Sequence, residues 1–279
     1  MDGHSEVQPL ISVVIATYRS LPFIERCLQS LHAQTYRNIE IIVVDALKYA
    51  PEEQKKCKEI IEKYAVYLQD GPERSIQRNR GIHEAKGEFV LVLDQDMYLE
   101  PKVVEACYEK LTKEGLVAVN IPEISIGEGF WTKCVSLERY VSTVLENGMN
   151  ESCRFFRKAD ALKVGGYDPA IVGAEDSDFH YRMASLGKIG KIKEYIKHDE
   201  GRTKFWNRVQ KKYYYSAAFR EYLKRRPGVA AAQFFPIKVA YFKHPIVLLK
   251  HPVVTLGMFT LRAAEVGAGF LGLIFKRSE

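Results

Sequence analysis

No two cysteines are spaced as C-x-x-C, and the five present, Cys27, Cys57, Cys107, Cys134 and Cys153, are odd in number and scattered. That spacing suggests neither a zinc site nor a disulfide framework, so a reducing compartment is expected. The opening residues, MDGHSEVQPL, are polar and lack the apolar region of a secretory signal. A charge-free apolar run long enough to cross a membrane is also missing. The best candidate, VVTLGMFTLRAAEVGAGFLGLIF, carries Arg262 and Glu265 near its middle, where charge is costly in lipid. Interfacial or re-entrant helices are expected there rather than a clean transmembrane helix. Acidic residues become scarce toward the C-terminus. Residues 201–279 hold 3 Asp+Glu against 15 Lys+Arg, a net +12, whereas residues 1–200 hold 32 against 26, a net −6. A basic tail on an acidic body implies an anionic partner, either nucleic acid or the cytoplasmic leaflet of a membrane.

What is present reads as an α/β chain. A hydrophobic fraction of 47% and a charged fraction of 27% over 279 residues suit one large domain, with or without an appendage. Residues 10–17, LISVVIAT, form an apolar run expected to be a buried strand. Pro22 is placed to open a helix reaching about His32, with Ile24, Cys27, Leu28 and Leu31 on one face. A second strand is expected at 40–45, EIIVVD, then a helix from Pro51 to Tyr64 and a short strand, AVYLQ. Strands alternating with helices imply βαβ units in a doubly wound sheet.

The stretch SIQRNRGIHEAKGEFVLVLDQD, residues 75–96, organises the rest. Ile76, Ile82 and Ala85 give a helix its apolar stripe, and Gly87 is expected to stop it. Phe89–Leu93 is an apolar run suited to a strand buried on both faces, ending in Asp94-Gln95-Asp96. Carboxylates at the carboxyl end of such a strand point into the crevice where open α/β sheets bind ligands. Hard oxygen donors there suit Mg²⁺ or Mn²⁺ carrying a diphosphate. The alternative is that Asp94 and Asp96 are solvated loop residues or a helix cap. Arg78 offers a bidentate donor for a diphosphate, or a helix-surface charge. Asn79 is expected to fix local backbone geometry.

The run RNRGIHEAKGEFVLVLDQD resembles the signature of glycosyltransferase family 2, nucleotide-sugar enzymes of the GT-A fold, a Rossmann-like, doubly wound mixed sheet. Residues 11–45 look like that family's nucleotide-binding half, and the resemblance spans roughly residues 10 to 200. It implies that Thr17 and Tyr18 contact the base or ribose and that Asp45 accepts from the base. It gives Asp70 a place beside the base and Asp94 and Asp96 the donor diphosphate and its metal. The chain departs from the family's D-G-S-x-D run, having Ala46-Leu47-Lys48 after Asp45, so the nucleotide is left open between UDP and GDP. Gly165-Gly166-Tyr167-Asp168 resembles the family's G-G-F-D-E turn, and Gly173-Ala174-Glu175-Asp176-Ser177-Asp178 its second acidic motif. Acids at a helix start also complement the dipole. The resemblance implies that Asp176 is the catalytic base of an inverting transfer and that Glu175 hydrogen-bonds donor sugar or acceptor, while Asp178 faces the helix surface. His198 either completes the metal site with Asp96 and Asp94 or is a satisfied structural histidine.

Phe130 and Trp131 serve either the acceptor side or core packing in a less regular segment, residues 127–140. After residue 201, RTKFWNRVQKKYYYSAAFREYLKRR alternates basic and aromatic residues, a membrane-surface pattern. No RNA-binding signature accompanies it, so nucleic acid is set aside. Beyond it, Pro236, Pro245 and Pro252 break an apolar stretch into short helices, with Lys243 and Lys250 placed to reach phosphates. The expected organisation is a GT-A catalytic domain over residues 1–201 and a helical tail, 202–279, attaching it peripherally to the cytoplasmic face of a membrane. The processive-synthase motif Q-x-x-R-W is absent, so one sugar per acceptor, lipid-linked or glycan, is expected. The reading from another class is a catalytically silent sugar-nucleotide-binding or membrane scaffold protein.

Overall fold

A computed structural model describes residues 8–146, 152–225, 227 and 236–275. In chain order the elements are β1 (Ile11–Thr17), α1 (Ile24–His32), β2 (Ile39–Asp45), α2 (Pro51–Ile61), β3 (Val66–Gln69), α3 (Arg74–Glu84), β4 (Phe89–Asp94) and β5 (Met97–Leu99). There follow α4 (Val103–Lys113), β6 (Ala118–Asn120), β7 (Glu123–Glu128), α5 (Phe130–Arg139), a π-helical turn (Tyr140–Val144), β8 (Cys153–Arg157), α6 (Lys158–Lys163) and α7 (Glu175–Ala184). The chain then forms β9 (Ile189–Lys191), β10 (Ile196–Arg202), α8 (Phe205–Arg225), α9 (Pro236–Lys243), α10 (Pro245–Leu249) and α11 (Pro252–Phe275).

Seven strands form one sheet in the order β3-β2-β1-β4-β8-β6-β9. The β3–β2–β1–β4 half is parallel, β8 runs antiparallel to both β4 and β6, and β9 returns parallel to β6. The apolar runs of β1 and β4 are buried on both faces, as a parallel sheet covered by helices requires. Their side chains alternate between two cores. Val13 and Ile15 join α1, α2 and α4 on one face, while Val14 joins α3, α6 and α7 on the other. The chain winds outward from β1 to β3 and then crosses to β4, so the topological switch lies between β1 and β4. Ligands of such sheets bind there, beyond the strands' carboxyl ends.

Two glycines in the organising stretch have specific duties. Gly87 does not end α3, which stops at Glu84 with Ala85 as its cap. A β-carbon on Gly87 would lie 2.5 Å from the Leu10 carbonyl oxygen, so glycine is needed for close approach to the start of β1. Gly166 has φ +67°, and a side chain there would meet the Asn79 carboxamide. That carboxamide accepts from Tyr167 N and donates to Tyr167 O, both at 2.7 Å, which locks the Gly-Gly-Tyr-Asp turn onto α3.

Residues 97–139 differ most from the sequence expectation. β5, β10 and β7 form a second, three-stranded sheet, and α5 replaces an irregular segment. Trp131 packs against Phe205, and Phe130, still partly exposed, lies under Gly257 of α11. Each C-terminal proline does open a helix, but α11 is a single 24-residue helix rather than several short ones. It lies against the body. Gly257 fits over Phe130 and Cys134, and Gly272 fits over Ser216 of α8. Glu265, 3% exposed, pairs with Arg208 at 2.7 Å and with Arg262 at 2.9 Å, and Arg262 also pairs with Glu138 of α5. Both mid-helix charges are thus neutralised against the protein. The outer faces of α9–α11 expose Phe242, Ile246, Leu249, Val253, Leu256 and Phe270. Pro252–Phe275 is the one helix among the described residues long and apolar enough to cross a membrane.

Candidate active site

A cavity of about 1160 Å³ opens at the switch point. Thr17 and Tyr18 after β1, Asp94 and Asp96 after β4, Asp176 on α7 and His198 on β10 all line it. Register explains the convergence, since Ala16 pairs directly with Asp94 and His198 pairs with Met97. Asp45, Arg78 and Glu175 are buried outside this lining, and Asp70 also falls outside it.

Arg78 is completely buried and holds the two acidic motifs together. Its guanidinium donates to Asp94 Oδ1 at 2.6 Å and to Asp176 Oδ1 at 2.8 Å, with Glu175 at 3.9 Å. The planar fork suits two carboxylates at once. The helix-surface alternative for Arg78 is therefore excluded, and so is direct exposure to the cavity. Asp94 also faces Arg154 NH2 at 3.6 Å. Burial opposes its charge, but Arg78, Arg154 and Arg74 outweigh burial and hold the carboxyl far below its ordinary range. Glu175 is ion-paired to Arg74 at 2.7 Å, and burial together with neighbouring Asp176 pushes its pKa up. Asp176 Oδ1 additionally accepts from Ser152 Oγ at 3.0 Å, which leaves Oδ2 as the oxygen available for a proton. Asp178 is not on the helix surface as expected. It is fully buried and pairs with Arg182 at 2.7 Å, inside the second core.

The three expected metal ligands do not behave alike. Asp96 Oδ2 and His198 Nε2 lie 3.4 Å apart, whereas Asp94 is committed to arginines. Carboxylate oxygen plus imidazole nitrogen is a donor pair that Mn²⁺ accepts. No group of three His, Cys, Asp or Glu side chains placed to hold an ion occurs among the described residues. Such an ion would be completed by ligand oxygens, as Mg²⁺ and Mn²⁺ at diphosphates commonly are. Glu123 Oε2 lies 3.2 Å from His198 Nδ1 and orients the ring. Burial works against the imidazolium, but hydrogen bonds to Asp96 and Glu123 outweigh it and push His198 up to about 9.

On the other side of the switch point, Gln95 accepts from Tyr18 N at 2.7 Å and donates to Tyr18 O at 3.0 Å. The middle residue of the acidic tip thus fixes the loop after β1, leaving the Tyr18 ring half exposed and edge-on to Tyr49. Asp45 is fully buried, with Thr17, Tyr49 and Tyr67 hydroxyls donating to its two oxygens. Asp70 accepts from Gly71 N and, through its own backbone, caps β2 at the Asp45 carbonyl.

The structure adds residues that sequence reasoning missed. Arg154 joins Glu123 to Asp94, and Arg139 joins Glu123 to Glu200. An arginine between apolar residues inside β8 was the available signal for Arg154. Arg208, Lys211, Lys212 and Lys224 of α8 line the cavity, so part of the basic helix borders the site.

The family model for Glycosyl transferase family 2 matches residues 12–164. An uncharacterized glycosyltransferase, EpsJ of Bacillus subtilis, is 34% identical over 145 residues, 50% of this chain and 39% of that protein. The chain spans 29%, 21% and 39% of the length of three such curated relatives. Among solved structures, a Pyrobaculum calidifontis mannosyltransferase, PcManGT, determined with GDP-Man and Mn²⁺, superposes with TM-score 0.62 at 18% identity, covering 97% of this chain and 88% of its own. Staphylococcus aureus TarS with UDP-GlcNAc gives TM-score 0.57 at 14% identity, with coverage of 95% and 90%. At these identities the structural likeness establishes the GT-A fold.

Proposed function

The chain belongs to glycosyl transferase family 2, and from that premise we propose that it transfers one sugar, with inversion and with a divalent metal, from a nucleotide-sugar to a lipid-linked acceptor. The observation that carries this reading is Arg78 tying Asp94 to Asp176 across one cavity. A donor anchor and a base are thereby held at a fixed separation, as an in-line displacement demands. GDP-Man and UDP-GlcNAc in the two solved relatives point to a guanosine or uridine diphosphate sugar.

In this mechanism Tyr18 and Thr17 border the nucleoside, and Gln95 keeps that loop in register with the acidic tip. Asp96 and His198 would hold Mn²⁺ or Mg²⁺, which supplies positive charge to the departing diphosphate. Asp176 takes the acceptor's hydroxyl proton. The acceptor oxygen forms its bond to the anomeric carbon on the face opposite the diphosphate. The bond from that carbon to the phosphate oxygen breaks, and the nucleoside diphosphate leaves with the electron pair. Arg78 and Ser152 hold Asp176 in place, and Arg74 does the same for Glu175. The exposed apolar faces of α9–α11 and the net +12 of the tail support attachment to an anionic cytoplasmic leaflet, with the Arg262–Glu265 pair kept against the body.

The test is a thermal-shift screen of UDP-, GDP- and CDP-sugars with Mn²⁺, followed by donor hydrolysis. Stabilisation by one donor class with turnover is expected. Binding without any turnover would favour the silent scaffold, and no binding at all would sink the enzyme reading.

A further inference from the structure

Two lysines of α8 stand apart from the ion-pair network of the cavity. Around the site, Arg154 answers Glu123, Arg139 answers Glu200, Arg208 answers Glu265 and Arg74 answers Glu175. Lys211 and Lys212 also line the cavity, and among the described residues neither makes an ion pair with a carboxylate. Desolvation, Arg74 and Arg208 all push the Lys211 ammonium down from its ordinary value, with Glu200 the opposing charge. The neighbouring Lys212 ammonium adds to this repulsion on the cavity wall, and an anion placed between the two lysines relieves it.

Packing places this wall beside the base. Tyr215 of α8 rests against Gly173, three residues before Asp176, and Lys211 Nζ lies 6.0 Å from the Tyr215 ring centroid. Arg74 pairs with Glu175, the residue next to Asp176. The side of the site that must receive the acceptor is therefore cationic. The helix that packs on α8 is α11, whose outward residues include Val266, Phe270 and Ile274. One helix pair thus offers cations to the cavity and an apolar face to the outside.

We propose that Lys211 and Lys212 form an anion subsite for the phosphate group of an amphiphilic acceptor. This deepens the glycosyltransferase reading and rests on it for the word acceptor, though not for the binding itself. The donor diphosphate carries the same chemistry, so the test separates the two sources.

Geranyl phosphate and geraniol serve as probes, titrated by calorimetry into the full chain with Mn²⁺, with and without saturating UDP or GDP. Geranyl phosphate should bind about tenfold or more tightly than geraniol, and should still bind with nucleotide present. The pair Lys211→Gln with Lys212→Gln should lose about tenfold in geranyl phosphate affinity while nucleotide affinity holds within about twofold. Lys211→Arg with Lys212→Arg should retain it, which controls for altered folding. Equal binding of geraniol, unchanged binding by the glutamine pair, or loss of nucleotide affinity in that pair would each overturn the subsite. Should neither UDP nor GDP bind, the enzyme reading fails, while the phosphate titration still decides the subsite.

Discussion

Arg78→Met removes a group that touches both acidic motifs. Arg78 is wholly buried, 2.6 Å from Asp94 and 2.8 Å from Asp176. Two unit charges about 4 Å apart attract by about 4 kcal/mol at an effective dielectric near 20, so two such contacts offset the cost of burying one guanidinium. Without it, Asp94 keeps Arg154, 3.6 Å away, and the more distant Arg74, and Asp176 keeps Ser152. Breaking a buried pair by deleting one partner costs about 3–5 kcal/mol. Partial protonation of an orphaned carboxylate and the half-open position of Asp176 favour the lower end. The expected loss is about 3 kcal/mol, read by urea unfolding at pH 7 in mild detergent. The sign with pH follows from Asp94, whose pKa is depressed in the folded protein. Stability from a depressed carboxylate is fully present above its unfolded value, about 3.9, and disappears as pH falls through the folded value. The gap between wild type and variant should therefore stay constant from about pH 7 to 5 and narrow below about 4. Arg78→Lys, which offers one ammonium where a fork is needed, should fall between the two. A gap under about 1 kcal/mol at pH 7, or one that widens in acid, would refute the clamp.

Asp176→Asn should lower turnover by about 10²–10⁴ with donor affinity intact, and an equal loss of donor affinity would mark a binding role instead. Asp96→Ala should abolish Mn²⁺-dependent donor binding in calorimetry while the unfolding midpoint barely moves, and transfer that persists in EDTA would count against metal dependence. Glu265→Gln removes one of the two carboxylates held by each of Arg208, which keeps Glu200 at 3.5 Å, and Arg262, which keeps Glu138. A loss of about 1.5–3 kcal/mol is expected, the worth of charged hydrogen bonds where each arginine keeps a second carboxylate, and an unchanged midpoint would mean α11 is only loosely docked. Leu249→Glu with Phe270→Glu, both at exposed positions, should reduce co-sedimentation with phosphatidylglycerol liposomes at low salt. If the pair sediments as wild type does, the apolar face is not the lipid contact.

The elements that sequence determined are those whose information is local. Ile11–Thr17 and Phe89–Asp94 are apolar runs that only burial on both faces can satisfy, so the parallel centre of the sheet and the acidic tip at its edge were legible. The turn at Gly165-Gly166 was legible through its resemblance to the family's G-G-F-D-E turn, and both glycines do take left-handed backbone. A third legible feature was the proline that opens each C-terminal helix. Tertiary structure decided which charges meet. Arg78 and Asp176 are 98 residues apart, Arg208 and Glu265 are 57 apart, and no periodicity records their pairing. A charge's helical face says whether it can be solvated, but not whether a partner from another element reaches it first. For that reason Asp178 read as surface and is buried against Arg182, and nothing in the basic run of α8 told that part of it borders the cavity. Arg262 and Glu265 read as obstacles to membrane insertion, and folding turned them into the contacts that seat α11 on the body.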